Sequence, residues 1–131
     1  AKALGCDLVI GFKQRAKQNE VASMQIIGDV QDKNVIIVDD IIDTAGTLCK
    51  AAACIKEQGA RSVRAMCAHG LFSGNAIENI ENSELDEVIV TDSIPLKQEC
   101  SKIKVVSVAK LMSEVIQSVE DNTSIAAHYY V

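Results

Sequence analysis

Residues 35–47 read VIIVDDIIDTAGT. An apolar, β-branched run ends in Asp39 and Asp40, a third acid follows at Asp43, and Thr44, Ala45, Gly46 and Thr47 close the stretch. The run from Asn34 to Asp40 is apolar on both faces, which is the pattern of a central strand in a parallel sheet. The segment after it, TLCKAAACIKEQGA (47–60), repeats apolar residues at helical spacing. Leu48, Ala51, Ala52 and Ile55 share one face, and Gly59 is placed to end the helix. The stretch therefore predicts a strand, a tight turn of small residues, and a helix.

Such a turn has specific chemistry. Small residues expose successive backbone N–H groups, and the positive end of the helix dipole adds to them, forming a cradle suited to a phosphate. Ala45 and Gly46 let an anion approach the main chain, and Thr44 and Thr47 offer hydroxyl donors. The carboxylates cannot serve that anion, because like charges repel. They suit hydroxyl donors or a cation instead. A phosphate cradle beside paired acids points to a phosphorylated sugar. The GxxxxGK[ST] and GxGxxG nucleotide cradles are absent. The plainer reading, in which Asp43 or Thr44 merely caps the helix, explains an isolated pair of residues better than it explains three acids and TAGT together.

Working outward, strands and helices alternate. CDLVIGF (6–12) reads as a buried strand. KQRAKQNEVASMQ (13–25) reads as a loop or long hairpin, and IIGDVQDK (26–33) as a short strand and turn. RSVRAMCAHG (61–70), LDEVIVTDSIP (85–95) and KVVSVA (104–109) are further strands. SGNAIENIENSE (73–84) is a short helix with Ser73 as its cap, and AKLMSEVIQSVED (109–121) is an amphipathic helix. This order predicts an α/β fold, a mostly parallel sheet flanked by helices. In such sheets ligands bind beyond the carboxyl ends of the strands, where Asp39, Asp40, His69 and Asp92 all fall.

Composition excludes several classes. The 131 residues suit one domain, and the net charge of −5 leaves no broad basic face for nucleic acid. No apolar run is long enough to span a membrane, and no secretion signal is expected. The five cysteines form no CxxC pair, and with two histidines a zinc site is not expected. They read as small buried residues in a reducing cytoplasm. The opening AKALG resembles the last turn of a helix, which suggests a piece of a longer protein.

The stretch at 35–47 resembles the phosphoribosyl-diphosphate (PRPP) motif of type I phosphoribosyltransferase folds. Its flanks, ASMQIIGDV (22–30), TLCKAA (47–52), FSGNA (72–76) and TDSIP (91–95), resemble the ribose-phosphate pyrophosphokinase, or PRPP synthetase, family. The likeness covers essentially the whole chain and corresponds to the C-terminal part, residues 1–131 here, of a two-domain subunit. It implies transfer of diphosphate from ATP to the C1 hydroxyl of ribose 5-phosphate, giving PRPP and AMP, with Mg²⁺ present. It also implies a hexamer of the intact protein in the cytoplasm.

By the same resemblance Asp43, Thr44, Ala45, Gly46 and Thr47 would bind the 5-phosphate, and Asp39 and Asp40 the ribose hydroxyls. Lys13 and Arg15 match a Lys-x-Arg pair on the family's catalytic loop. No metal ligand is assigned in this chain, since the main ones are expected in the missing amino-terminal part. The fragment alone is expected to be inactive. The family often has glycine where Ala45 stands, and the methyl is expected to be tolerated with a negative φ. His69 and Asp92 read as structural residues, and Ala127 to Tyr130 as a packing tail. Ser124 matches one of two regulatory serines, with Ala126 in place of the other. The alternatives are a phosphoribosyltransferase that consumes PRPP, which the flanks do not fit, and a non-catalytic regulatory homologue, which would be expected to lack the Lys13–Arg15 pair.

Overall fold

The computed structural model describes residues 1–14 and 23–128. Two strands, β1 (Ile10–Gln14) and β2 (Ser23–Ile27), pair antiparallel as a separate ribbon, with Ile10 opposite Ile27 and Lys13 opposite Met24. Of the segment 13–25, read as a loop or long hairpin, residues 13–14 and 23–25 lie in this ribbon, and 15–22 lie outside the described residues. The preceding strand starts four residues later than its apolar run, because Cys6–Val9 does another job. Val9 lies against the turn at Gly28, where a Cβ would sit 2.9 Å from its side chain and φ is +132°. Only glycine accepts both conditions. Lys33 ties the same segment down, bridging Asp7 at 2.9 Å and Asp29 at 3.2 Å.

The main sheet has four parallel strands in the order β3 (Asn34–Ile42), β4 (Ser62–Gly70), β5 (Glu87–Thr91) and β6 (Ile103–Val106). Helix α1 (Gly46–Glu57) crosses from β3 to β4, and α2 (Ala76–Glu81) lies between β4 and β5. Both cover one face. Val63, Ala65 and Cys67 of β4 and Val88 and Val90 of β5 are buried with Leu48, Ala52 and Ile55 of α1 and Ile77 and Ile80 of α2. Burying each large aliphatic side chain there contributes about 1.5–3 kcal/mol. Glycine at 59, with φ +89°, stops α1 as its position predicts.

Three expectations need correction. Among the described residues β3 lies at the edge of its sheet, not at the centre, and its second face is open, with Ile36 53% and Val38 77% exposed. Both faces are apolar, but α1 and α2 pack on one. Helix α3 (Ala109–Glu120) forms where expected yet has no buried residue. Ser73 does not cap α2; the chain turns through Phe72 (φ 50°) and Gly74 (φ 57°), which delays the helix until Asn75 is its first flanking residue. Cys67 and Cys100 are buried, but Cys6 is exposed.

Candidate functional site

The site is built at the carboxyl end of β3. Asp39 and Asp40 are both exposed there. Each carboxylate accepts from the next backbone N–H, at 3.0 Å for Asp39 and 2.8 Å for Asp40. Beneath them, the Cys67 thiol donates to the backbone carbonyls of Asp40 and His69, 3.2 Å each. Burial first, and then the negative charges of Asp39 and Asp40, push this thiol's pKa up, so it stays a neutral strut.

Past Ile42 the chain enters the turn. Asp43, Thr44 and Thr47 are exposed, while Ala45 is buried. The residue flanking α1 is Ala45, which has no side-chain oxygen, and the first rung of the helix is Cys49 N–H to Ala45 O at 2.9 Å. Neither Asp43 nor Thr44 holds that flanking position. Ala45 adopts φ 60°, a left-handed conformation, so the negative φ on which tolerance of the methyl was conditioned is not met. Its methyl points into the core, which is why a Cβ at this position leaves the outer surface clear. At Gly46 a Cβ would meet nothing within 4 Å; that side of the turn is open.

The carbonyl side of the turn is held. Leu71 and Phe72 donate backbone N–H groups to Ile42 O at 2.9 and 3.3 Å, and Ser73 donates to Asp43 O at 3.0 Å. The Asn79 side-chain amide donates to Thr44 O at 3.1 Å. These contacts bridge segments about thirty residues apart. Gly70, one residue before this support, lies under the Phe72 ring, where a Cβ would come within 2.5 Å.

Neighbouring strand ends carry supporting chemistry. His69 Nδ1 is 2.8 Å from Ser93 Oγ, and Thr91 Oγ1 donates to Ala68 O at 2.7 Å. The structural reading of His69 fits that bond. Asp92 accepts from Val108 N–H at 2.9 Å. The Ser107 hydroxyl, then this N–H, hold its carboxyl below the usual range, so Asp92 organises the entry to α3. Ser124 Oγ accepts from Ala126 N–H at 3.2 Å, and His128 packs on α3 with Nε2 3.1 Å from Ser118 Oγ. Tyr129 and Tyr130 lie outside the described residues.

The turn thus gathers Asp39, Asp40, Asp43, Thr44, Ala45, Gly46 and Thr47 on one ledge. Lys13 has its backbone in β1, where Met24 is its partner, and Arg15 lies outside the described residues. Among the described residues, no three acids, histidines or cysteines are grouped to hold a metal ion. A cleft of about 900 Å³ runs along the open edge of β3, with Asp39 and Thr47 in its lining among mostly apolar side chains such as Leu4, Leu8 and Val35. Sequence reading did not single out Asn79 or Ser73 N–H as supports. Asn79 sits 35 positions from Thr44 on the polar side of a short helix, and no local pattern marks it.

A parallel α/β domain with a small-residue turn beyond a strand's carboxyl end belongs to the architectural class in which ligands sit at that edge. Within that class, the chain belongs to the family described as "Phosphoribosyl synthetase-associated domain", whose model matches residues 10–130. It is 56% identical over 125 residues to the ribose-phosphate pyrophosphokinase of Campylobacter jejuni, covering 95% of this chain and 40% of that protein. It is 52% identical over 130 residues to that of Porphyromonas gingivalis, covering 99% and 42%. A crystal structure of phosphoribosylpyrophosphate synthetase from Mycobacterium smegmatis superimposes with a TM-score of 0.74 at 34% identity, over 76% of this chain and 34% of that one. The chain spans about two fifths of the length of these curated relatives.

Proposed function

We propose that the protein containing this chain transfers diphosphate from ATP to the C1 hydroxyl of ribose 5-phosphate, releasing AMP, and that residues 1–131 form its C-terminal, ribose 5-phosphate-binding domain. The sugar oxygen attacks the β-phosphorus, the bond between the α- and β-phosphates breaks, and the hydroxyl proton is lost. The observation that carries this reading is the small-residue turn at 43–47, open at Gly46, in a chain 52–56% identical to named ribose-phosphate pyrophosphokinases. The turn's amides and the Thr44 and Thr47 hydroxyls bind the 5-phosphate, and Asp39 and Asp40 accept from the ribose hydroxyls. Lys13, in β1, and Arg15 offset charge on the transferred diphosphate.

Mg²⁺ would supply charge neutralisation on the phosphates. The exposed carboxylates are hard donors of the right kind, but without a grouped set among the described residues no metal ligand is assigned to this chain. The ion is proposed to be held by the phosphates and by residues outside it. Among the described residues no helix is long and apolar enough to cross a membrane. The intact protein is proposed to be a cytoplasmic homo-oligomer, a hexamer by its family.

The test is calorimetric titration of the intact protein with ribose 5-phosphate and with ribose, alongside an assay for AMP release. Binding that needs the phosphate, with AMP formed only when the sugar phosphate is present, is expected. Release of diphosphate from PRPP on adding a nucleobase would instead mark a phosphoribosyltransferase. Sugar-phosphate binding with no turnover would mark a regulatory homologue.

A further inference from the structure

Peptide geometry makes the contacts behind the turn more than packing. The described chain has no cis peptide bonds. In a trans peptide the C=O of one residue and the N–H of the next point in opposite directions. The carbonyls of Ile42, Asp43 and Thr44 are all drawn toward the 71–79 segment. The N–H groups of Asp43, Thr44 and Ala45 must then face away from it. Three consecutive amides aimed outward form an anion-binding concavity. The first two peptide planes are set by backbone donors, which no side-chain change removes. The third, between Thr44 and Ala45, is set by one side chain, that of Asn79.

We propose that Asn79 is a positioning residue for the anion-binding turn: its side-chain amide holds the Thr44 carbonyl inward and so turns the Ala45 N–H toward the ligand's phosphate. Only the NH₂ end of the amide can pair with a carbonyl, which fixes the orientation of the side chain. This plane needs an external hold more than its neighbours do. Ala45 is in the left-handed region at φ 60°, which a residue with a Cβ leaves readily when the constraint is released. Asn79 is itself seated on α1, since the Cys49 thiol donates to its carbonyl at 3.4 Å and its N–H donates to Asn75 O at 2.9 Å. The side chain is exposed, so its replacement leaves the core intact. The inference rests on the ribose 5-phosphate reading of the turn.

The experiment uses the intact protein with three variants, Asn79→Ala, Asn79→Leu and Asp43→Ala. Leucine keeps the branched shape of asparagine and removes the donor. Both Asn79 variants are expected to raise KM for ribose 5-phosphate by about fivefold or more, the weight of one lost hydrogen bond in a partly dehydrated site. KM for ATP should stay within about twofold, and kcat at saturating sugar should fall by less than KM rises. A normal KM for Asn79→Leu with a raised one for Asn79→Ala would show that shape matters and the hydrogen bond does not, which overturns the proposal. An equal rise in both KM values together with a lower Tm would assign Asn79 a merely structural role, which also overturns it. Unchanged KM in both Asn79 variants with a raised KM in Asp43→Ala would remove Asn79 and leave the cradle standing. No change in any of the three would remove the cradle itself.

Discussion

Two turns in this domain lead from a parallel strand into a twelve-residue helix, and they are finished in opposite ways. After β6, Asp92 reaches across to accept the Val108 N–H, and Ser107 Oγ accepts from Ala109 N–H at 3.3 Å. The start of α3 is served by the chain's own oxygens. After β3, the residue flanking α1 is Ala45, which has no side-chain oxygen, and the turn's carbonyls are pulled back onto the 71–79 segment. The helix bodies differ in the reverse sense. α1 buries Leu48, Ala52 and Ile55, whereas α3 buries nothing and leaves Met112, Ile116 and Val119 exposed. The well-anchored helix is flanked by a residue that has no side-chain acceptor of its own. A helix end that a protein leaves uncapped on a rigid base is one where a ligand can supply the missing acceptor. A self-capped end has no such opening.

The largest expected effect lies outside both turns and asks whether either does chemistry. Lys13→Ala in the intact protein should lower kcat on the order of 10²–10³-fold, since it removes a cation proposed to act on the transition state. Affinity for ribose 5-phosphate should hardly move. Equal losses in both, read from steady-state rates and calorimetry, would place Lys13 in the sugar site. The next effect separates the turns themselves. Asp39→Asn with Asp40→Asn should weaken ribose 5-phosphate binding about 10- to 100-fold, as expected for lost hydrogen bonds to charged acceptors. Asp92→Ala should leave that binding unchanged. If the Asp92 variant weakened it comparably, the two strand ends would be one site and the contrast would fail.

Asp92 carries its own signature in acid. Its folded-state pKa lies below the ordinary carboxylate value, through the Ser107 hydroxyl and the Val108 N–H. A depressed carboxyl contributes stability that is present above the unfolded pKa and lost as pH falls through the folded one. Wild-type protein should therefore protect the first-turn amides of α3 from hydrogen exchange better than Asp92→Ala near neutral pH. The difference should close in strong acid, once the carboxylate is protonated. A difference that persisted unchanged below the folded pKa would mean that the side chain acts by packing and not as an ionised acceptor.

Much of this was legible in the sequence, for reasons that mark where legibility stops. The β3–turn–α1 unit could be read because its signals are local: a β-branched run, then small residues, then apolar spacing of three and four. The parallel sheet followed from alternation of elements. That β3 lies at the edge of the four described parallel strands could not be read, because an apolar pattern on both faces reports what a strand can bury and not which neighbours it has. The same holds for α3, whose stripe of Met112, Ile116 and Val119 is amphipathic in sequence and exposed in the fold. Ser73 looked like a cap because residue type was visible, while the left-handed turn through Phe72 and Gly74 that moves the helix start was not. The hold of Asn79 on Thr44 is a tertiary contact across 35 residues. The ledge of acids and small residues was readable, but the support that orients it was not.

The smallest expected effect tests the least intuitive feature of the turn after β3. Ala45 takes φ 60°, where a Cβ costs about 1 kcal/mol or somewhat more, while the glycine beside it is not in the left-handed region. Replacing Ala45 by glycine would relieve that strain. It would also remove a buried methyl, with Ala45 only 5% exposed, at a loss of about 0.8 kcal/mol. The unfolded chain would gain freedom worth about 0.4–1 kcal/mol. These contributions nearly cancel, so Ala45→Gly should change stability by less than about 1 kcal/mol, read from the urea midpoint of the intact protein. Affinity for ribose 5-phosphate should stay within about twofold, because the methyl faces the core and the amide faces out. A several-fold gain in affinity would show the methyl standing between phosphate and main chain. The turn would then be open at Gly46 alone, and its difference from the self-capped turn at α3 would shrink to one amide.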